Sequence, residues 1–126
     1  MSEQSSTVLC HETMEQLRLL DLSQPGLLNE LLRMFEAGRQ LYLNQLEQAL
    51  ANADFEELRV CAHTLKGSAA GMGALQLSKL AFEIEKKSRA QGLVTSDQLS
   101  ALADEYDRAL SQVTKFVQNN AVGTIS

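Results

Sequence analysis

The chain has 126 residues, enough for one domain that buries about two-thirds of the surface its unfolded chain exposes. It is 44% hydrophobic and 21% charged with a single proline, a composition typical of compact globular proteins rather than disordered or fibrous ones. The net charge of −5 argues against nucleic acid as the main partner, and the absence of a signal peptide or a long apolar run predicts a cytoplasmic protein without a membrane segment.

Two helices are predicted in the first half of the chain. A short helix follows the cap candidate Thr13 and ends around residues 21–23. Pro25 is then expected in the first turn of a second, long helix that runs to about Asn52. The apolar stripe of this second helix comprises Leu28, Leu31, Phe35, Tyr42, Leu46, Ala49 and Leu50.

Three more helices are predicted after residue 53. Asp54 and Glu57 form a candidate capping box for the third helix, which Gly73 ends in a left-handed turn. A fourth helix starts near Ala74 and ends at Gly92, and a fifth is capped by Thr95 or Ser96. The apolar positions of the third helix are Leu58, Cys61, Ala62, Leu65, Ala69 and Met72, those of the fourth are Leu77, Leu80, Ala81 and Ile84, and those of the fifth run from Leu99 to Val117.

These elements define an all-α fold. Four long amphipathic helices with short connections predict an antiparallel up-down-up-down four-helix bundle, with the short N-terminal helix covering one end. We expect the domain to span residues 13–118, between a flexible N-terminus of residues 1–12 and a flexible C-terminus of residues 119–126. Bundles of this kind are usually monomeric, so we expect a monomer.

The stretch "HTLKGSAAGMGA" places three glycines in or next to the third helix. An interior glycine costs a helix about 0.5 to 1 kcal/mol relative to alanine, so these positions need an explanation. On a helix, His63, Lys66 and Gly67 share one face, because residues three and four apart are neighbours. The same face is continued by Arg59, one turn earlier, and by Ala70 and Gly71, two turns later.

This spacing leaves the His63 ring on the solvent side with almost no side chain beside it. A neutral imidazole is a nucleophile at one nitrogen when an acceptor holds the other, and Glu85 on the fourth helix is the candidate acceptor. Lys66 would offset the negative charge of a phosphoryl group, and Gly67 would let another protein approach the ring. Ser68 is expected to bond a backbone carbonyl or to brace Glu85.

Residues 59–89 carry six basic and two acidic side chains, a local charge of +4 that leaves −9 on the rest of the chain. This distribution is compatible with an ordinary solvated surface, and it also suits an acidic protein partner. Under the second interpretation, Arg59, Lys79, Ala70 and Gly71 are candidate docking residues.

The segment "AHTLKGSAAGMGALQLSKLAFEIE" closely resembles the signature of histidine-containing phosphotransfer (HPt) domains of bacterial phosphorelays, H-x-L-K-G-S-x-x-x-hydrophobic-G. Every position of that signature matches: His63, Leu65, Lys66, Gly67, Ser68, Met72 and Gly73. The resemblance is good from Met14 to Arg89 and extends through the last helix only as a pattern.

The resemblance implies that His63 accepts a phosphoryl group on Nε2 from the phospho-aspartate of one receiver domain and passes it to another. The expected partners are receiver domains of a hybrid histidine kinase and of a response regulator, which supply the Mg²⁺ and present an acidic pocket. Lys66 becomes the phosphate-side cation, Gly67 the small residue beside the ring and Ser68 a supporting residue. Family members often carry Gln or Glu at the position of Glu85.

No ATP-binding module is recognisable, so the chain is expected to be a phosphocarrier without autokinase activity, cofactor or metal of its own. Because it begins at Met1 and shows no kinase or receiver segment, we expect a stand-alone protein, with an excised domain of a hybrid kinase as the alternative.

Two other functions compete with phosphotransfer. A helical adaptor would bind receiver domains without accepting phosphate, although the intact His63 and Lys66 argue against it. A metal site would need Cys10, His11, Cys61 and His63 to converge, and their spacing matches no common zinc motif. Otherwise both cysteines are expected to be free thiols.

Overall fold

The structure, a computed structural model, describes residues 8–122, and within this range it contains five α-helices and no β-strand. Helix α1 is His11–Ser23, α2 is Leu27–Ala51, α3 is Phe55–Gly71, α4 is Leu75–Arg89 and α5 is Ser96–Asn120. The predicted all-α class is confirmed. None of the helices in the described range is long and apolar enough to span a membrane.

Helices α2 to α5 enclose a single core. Helix α3 packs most closely on α4, α2 packs on both α3 and α5, α4 packs on α5, and α1 packs on α2. Most positions of the apolar stripes read from the sequence lie in this core, but Leu31, Tyr42, Leu50 and Leu80 are only partly buried, and the buried Leu43 was not predicted. The fully buried large side chains include Leu28, Leu46, Leu58, Leu65, Leu77, Ile84, Leu102 and Tyr106. Because the buried stripe of α3 faces this core, the opposite face of α3 is left to solvent.

The start of each of the first two helices differs from the prediction. Helix α1 begins at His11 with Cys10 as its N-cap, because Cys10 has the extended backbone that precedes a helix and Thr13 is already helical. Pro25 lies before α2 rather than in its first turn, since Gly26 adopts a left-handed conformation with φ of +100° and serves as the N-cap.

The ends of α4 and α5 also differ. Helix α4 ends at Arg89 instead of Gly92, because Gln91 already takes a left-handed conformation (φ +55°). Helix α5 continues to Asn120, past the predicted onset of fraying after Gln118. Of the two segments predicted to be flexible, residues 1–7 and 123–126 lie outside the described residues, whereas residues 11–12 and 119–120 are helical.

Of two local predictions at helix junctions, the left-handed turn at Gly73 is confirmed, and the Asp54–Glu57 capping box is present only in its Asp54 half. Gly73 has a φ of +74° in the turn between α3 and α4, and its carbonyl accepts the backbone N–H of Cys10 at 2.8 Å, which holds the start of α1 against this turn. Asp54 caps α3 by accepting the backbone N–H of Glu57 at 3.0 Å. The complete capping box occurs at α5, where Thr95 and Gln98 bond reciprocally.

Candidate functional site

His63 projects from the solvent face of α3, and its side chain is 61% exposed. Its Nδ1 lies 2.9 Å from Oε2 of Glu85, which α4 places opposite it. Residues at matching distances from the Gly73 turn face one another, which is why two side chains 22 residues apart in sequence are in contact. The contact between His63 and Glu85 predicted from the sequence is therefore present.

Glu85 is a buried carboxylate, 1% exposed, that is surrounded by basic side chains. Its Oε2 also accepts a hydrogen bond from Arg89 at 2.8 Å, and Nζ of Lys66 lies 2.9 Å from Oε1 in an ion pair whose angles are outside those of a hydrogen bond. Burial alone would raise the pKa of Glu85, but Lys66 and His63 outweigh this effect and hold it below the ordinary carboxyl value.

The ionised state of Glu85 decides which nitrogen of His63 carries the proton. A carboxylate can only accept, so the neutral imidazole must donate its Nδ1–H to Oε2. The lone pair is then on Nε2, which makes no hydrogen bond to another residue within 8–122. An exposed ring held in this tautomer is equipped for nucleophilic attack through Nε2.

The glycines beside His63 are not required by packing inside this protein. A Cβ placed on Gly67 or Gly71 would meet no atom within 4 Å in the described part of the chain, apart from adjoining residues and the backbone of α3 itself. Both residues are exposed, and so is Ala70 between them. The surface next to His63 therefore has open space that the fold does not use.

An apolar groove of about 620 Å³ begins at this open space and lies between α3 and the helices α1 and α2. Gly67, Ser68 and Gly71 form one wall, and the lining also includes Leu17, Leu31, Met34 and Leu41. Met34 and Leu41 are 63% and 64% exposed. Ser68 makes no side-chain hydrogen bond within residues 8–122, so the predicted bond to a carbonyl or brace to Glu85 is not formed.

The two cations predicted to dock a partner lie on either side of His63. Arg59 is on α3 and forms an ion pair of 2.6 Å with Glu56, three residues earlier. Lys79 is exposed on α4 and lines a shallow surface depression with Lys66 and Phe82. Both side chains border the histidine face, by which we mean the solvent-facing surface of α3 and α4 around His63.

Three residues of this site were not predicted. Arg89 bonds Glu85, and its signal in the sequence was the i, i+4 spacing from an acidic residue on a helix. Ser78 donates its hydroxyl to the backbone carbonyl of Lys66 at 2.9 Å, and the ring of Phe82 lies 4.8 Å from Nζ of Lys66. Neither of these contacts has a sequence signal, because both cross from α4 to α3.

The metal-site alternative lacks the geometry it needs. Within residues 8–122, no three His, Cys, Asp or Glu side chains form a group that could hold a metal ion. Cys61 is a buried free thiol whose Sγ contacts the backbone carbonyl of Tyr42 at 3.7 Å, and burial raises its pKa to about 11. A buried thiol with a raised pKa is a poor metal ligand and a poor nucleophile.

The site thus defines a class of protein: an all-helical protein that presents one oriented imidazole beside a lysine, on a face open to another macromolecule. A protein-family model described as "Hpt domain" matches residues 30–112, and the chain belongs to this family. The match includes α3, α4 and all the residues of the histidine face.

A solved structure supports the same assignment. The chain is similar to the crystal structure of histidine-containing phosphotransfer protein B (HptB) from Pseudomonas aeruginosa PAO1, with 26% identity, a TM-score of 0.70, and coverage of 92% of this chain and 96% of that one. A search of curated proteins found no significant match. The protein has a histidine phosphotransfer role in two-component signalling, which is a phosphocarrier rather than a kinase role.

Proposed function

We propose that His63 is the phosphoacceptor and that it relays a phosphoryl group between receiver-domain aspartates. The observation that carries this proposal is the 2.9 Å contact between His63 Nδ1 and the buried carboxylate of Glu85, on a ring that is 61% exposed. In the neutral ring, this contact leaves the lone pair on Nε2. His11, the other histidine of the chain, lies at the start of α1 and has no hydrogen-bond partner among the described side chains.

In the proposed step, the Nε2 lone pair attacks the phosphorus of an aspartyl phosphate on the receiver. The N–P bond forms as the bond from phosphorus to the aspartate oxygen breaks, and the aspartate leaves as a carboxylate. Because Nδ1 keeps its proton, the ring gains positive charge during the attack. Glu85 stabilises this charge through the hydrogen bond it already makes, which costs no rearrangement. Return transfer to a second receiver reverses these events.

The neighbouring residues have separate roles in this proposal. Lys66 offsets the charge of the phosphoryl oxygens, since its ammonium is held at the site by Glu85. Gly67 provides space for the incoming receiver, because nothing in its own fold fills that space. Ser68 lines the groove beside Gly67 and acts as a supporting residue. The protein itself binds no cofactor, and the Mg²⁺ of the reaction comes from the receiver.

The receiver domains of a hybrid sensor kinase and of a response regulator are the proposed partners. The apolar groove lies next to His63 and offers exposed Met34 and Leu41 to a partner surface. Arg59 and Lys79, on either side of His63, suit the acidic pocket of a receiver and steer its approach. A cytoplasmic location, a monomeric state and the lack of an ATP site remain predictions from the sequence.

The arrangement of helices proposed for this function is an antiparallel up-down-up-down bundle of α2 to α5, with α1 as the short additional helix. Two observations support it. The principal helix contacts close a ring in the order α2, α3, α4, α5 and back to α2. Across α3 and α4, Lys66 meets Ser78 nearer the turn, and His63 meets Glu85 farther from it.

A transfer experiment tests the function. The protein is incubated with a receiver carrying ³²P on its aspartate, and the expected result is acid-labile, base-stable label on wild type and none on His63→Gln. The matched control is His11→Gln, which we expect to accept label like wild type. Binding of the receiver without label on wild type would instead establish the adaptor function, and label from ATP alone would contradict the phosphocarrier role.

The docking surface has its own test. Leu41→Glu puts a charge into the groove, and we expect it to weaken binding of the receiver about tenfold, because desolvating a carboxylate opposes burial of the patch. Leu93→Glu is the matched control, since Leu93 is 76% exposed and belongs to the connection between α4 and α5. Equal effects of the two substitutions on affinity, measured by titration calorimetry, would exclude the groove as the docking surface.

A further inference from the structure

Phe82 is an aromatic residue whose position the core does not explain. It is 37% exposed on α4, one turn before Glu85, and it is not among the side chains that pack against the hydrophobic core. Two ammonium groups lie over its ring, Nζ of Lys66 at 4.8 Å and Nζ of Lys86 at 4.9 Å from the centroid. These distances are within the range of cation–π attraction.

The contact with Lys66 connects Phe82 to the histidine face. Phe82 and Glu85 are three residues apart on α4, so the ring and the carboxylate present adjacent surfaces to the same ammonium. The backbone of Lys66 is also held to α4, because its carbonyl accepts the hydroxyl of Ser78 at 2.9 Å. Residues of α4 therefore hold both the backbone of Lys66 and its ammonium group.

The ring attracts the ammonium in a different way from Glu85. When a phosphoryl group arrives on His63, its oxygens compete with the carboxylate of Glu85 for the charge of Lys66. The attraction of an aromatic face requires no anion and remains while the ammonium exchanges one anion for the other. Lysine has a long flexible stem and a strongly hydrated ammonium group. Without the contact to the ring, both properties would favour a side chain that extends into solvent.

We propose that Phe82 is a positioning residue for phosphoryl transfer, whose ring keeps the Lys66 ammonium between Glu85 and the phosphoryl group on His63. This inference rests on the proposed role of Lys66 as counter-charge. Lys86 contacts the same ring, but its carboxylate partner is Glu83, at 3.4 Å, and not Glu85. Lys86 is therefore a matched control, because it is a cation on the same ring that does not pair with Glu85.

The test measures single-turnover transfer from a phosphorylated receiver at saturating receiver concentration, so that association does not limit the rate. We expect Phe82→Leu to slow transfer about two- to fivefold, which corresponds to the loss of one exposed cation–π contact. Phe82→Tyr and Phe82→Trp keep an aromatic face and should restore the wild-type rate. Lys86→Ala should leave the rate unchanged, and circular dichroism verifies that each variant is folded.

A double-mutant cycle connects the effect to Lys66. If the ring acts through the ammonium, Phe82→Leu has no further effect in the Lys66→Ala background. Equal slowing in both backgrounds, a wild-type rate for Phe82→Leu, or failure of Tyr and Trp to restore the rate each overturns the proposal for Phe82. Absence of label on wild type is a different result, because it overturns the proposed function of His63 and the role of Phe82 together.

Discussion

Asp21 and Glu85, two of the buried carboxylates in residues 8–122, lie in regions with different purposes. Asp21, 0% exposed, is at the end of α1, where its oxygens accept backbone N–H groups of Leu28 at 2.9 Å and Val122 at 2.6 Å. Glu85 is equally buried on the histidine face, yet its partners are the side chains of His63, Lys66 and Arg89. The N–H of Leu28 is fixed in the first turn of α2, whereas partly exposed side chains can exchange Glu85 for another anion.

Two glycines that line the groove, Gly38 and Gly67, show a similar difference. A Cβ on Gly38 in α2 would lie 2.8 Å from the hydroxyl of Tyr106, which donates a hydrogen bond to the carbonyl of Phe35 at 2.6 Å. A Cβ on Gly67 in α3 would meet open space. The space beside Gly38 is thus filled by the Tyr106 and Tyr42 side chains, whereas the space beside Gly67 is left open. Burial or glycine content alone would not distinguish them.

Removing the charge of each carboxylate should give opposite results. Asp21→Asn is expected to lower the free energy of unfolding by about 3 kcal/mol, because charged hydrogen bonds to buried N–H groups are lost, while transfer by the folded protein is unchanged. Glu85→Gln should cost about 1 kcal/mol or less, since its partners can be hydrated, and should slow transfer about fivefold. Urea unfolding and single-turnover transfer measure the two effects.

Asp104 is exposed, so Asp104→Asn serves as the control for neutralising an aspartate. It should change neither the free energy of unfolding nor the transfer rate. If Glu85→Gln destabilised the protein as much as Asp21→Asn and left transfer intact, both carboxylates would have to be regarded as structural.

Alanine substitutions at the two glycines extend the comparison. Gly38→Ala should destabilise by about 1 to 3 kcal/mol, because the methyl group displaces the Tyr106 hydroxyl. Gly67→Ala should stabilise by about 0.5 to 1 kcal/mol, since alanine favours the helix and meets no neighbour. Gly67→Gln should fold normally and transfer much more slowly. A normal transfer rate for Gly67→Gln would remove access as the explanation of that glycine.

Acid should remove the stability that both carboxylates contribute. Burial raises the pKa of Asp21, but hydrogen bonds from Leu28 and Val122 outweigh it, so the folded pKa is lowered, as is that of Glu85. A lowered folded pKa gives stability that is complete above the unfolded value of about 4 and is lost as pH falls through the folded pKa. Unfolding free energies from pH 6 to pH 3 should therefore decline less steeply in Asp21→Asn than in wild type. An identical slope would contradict the assigned state of Asp21.

Most of the fold could be predicted from local patterns. The apolar spacing identified the five helices found in residues 8–122, and Gly73 and Thr95 marked a turn and a cap through conformational preferences that belong to single residues. Boundaries were missed where such preferences were overruled. Gln91 adopts a left-handed conformation that the sequence assigns to glycine, and Gly26 takes the N-cap position beside a proline.

The sequence by itself determined which side chains share the solvent-facing side of α3. The spacing of His63, Lys66 and Gly67 on one helix face follows from helical geometry alone, and so does the exposure of that face opposite the apolar stripe. The tertiary structure decided which residues of the neighbouring helices contact that face. The register of α4 against α3 brings Glu85 to His63 and brings Phe82 and Ser78 to Lys66. The packing of α1 and α2 beside α3 creates the groove. These contacts depend on how helices distant in sequence pack, which local periodicity does not encode.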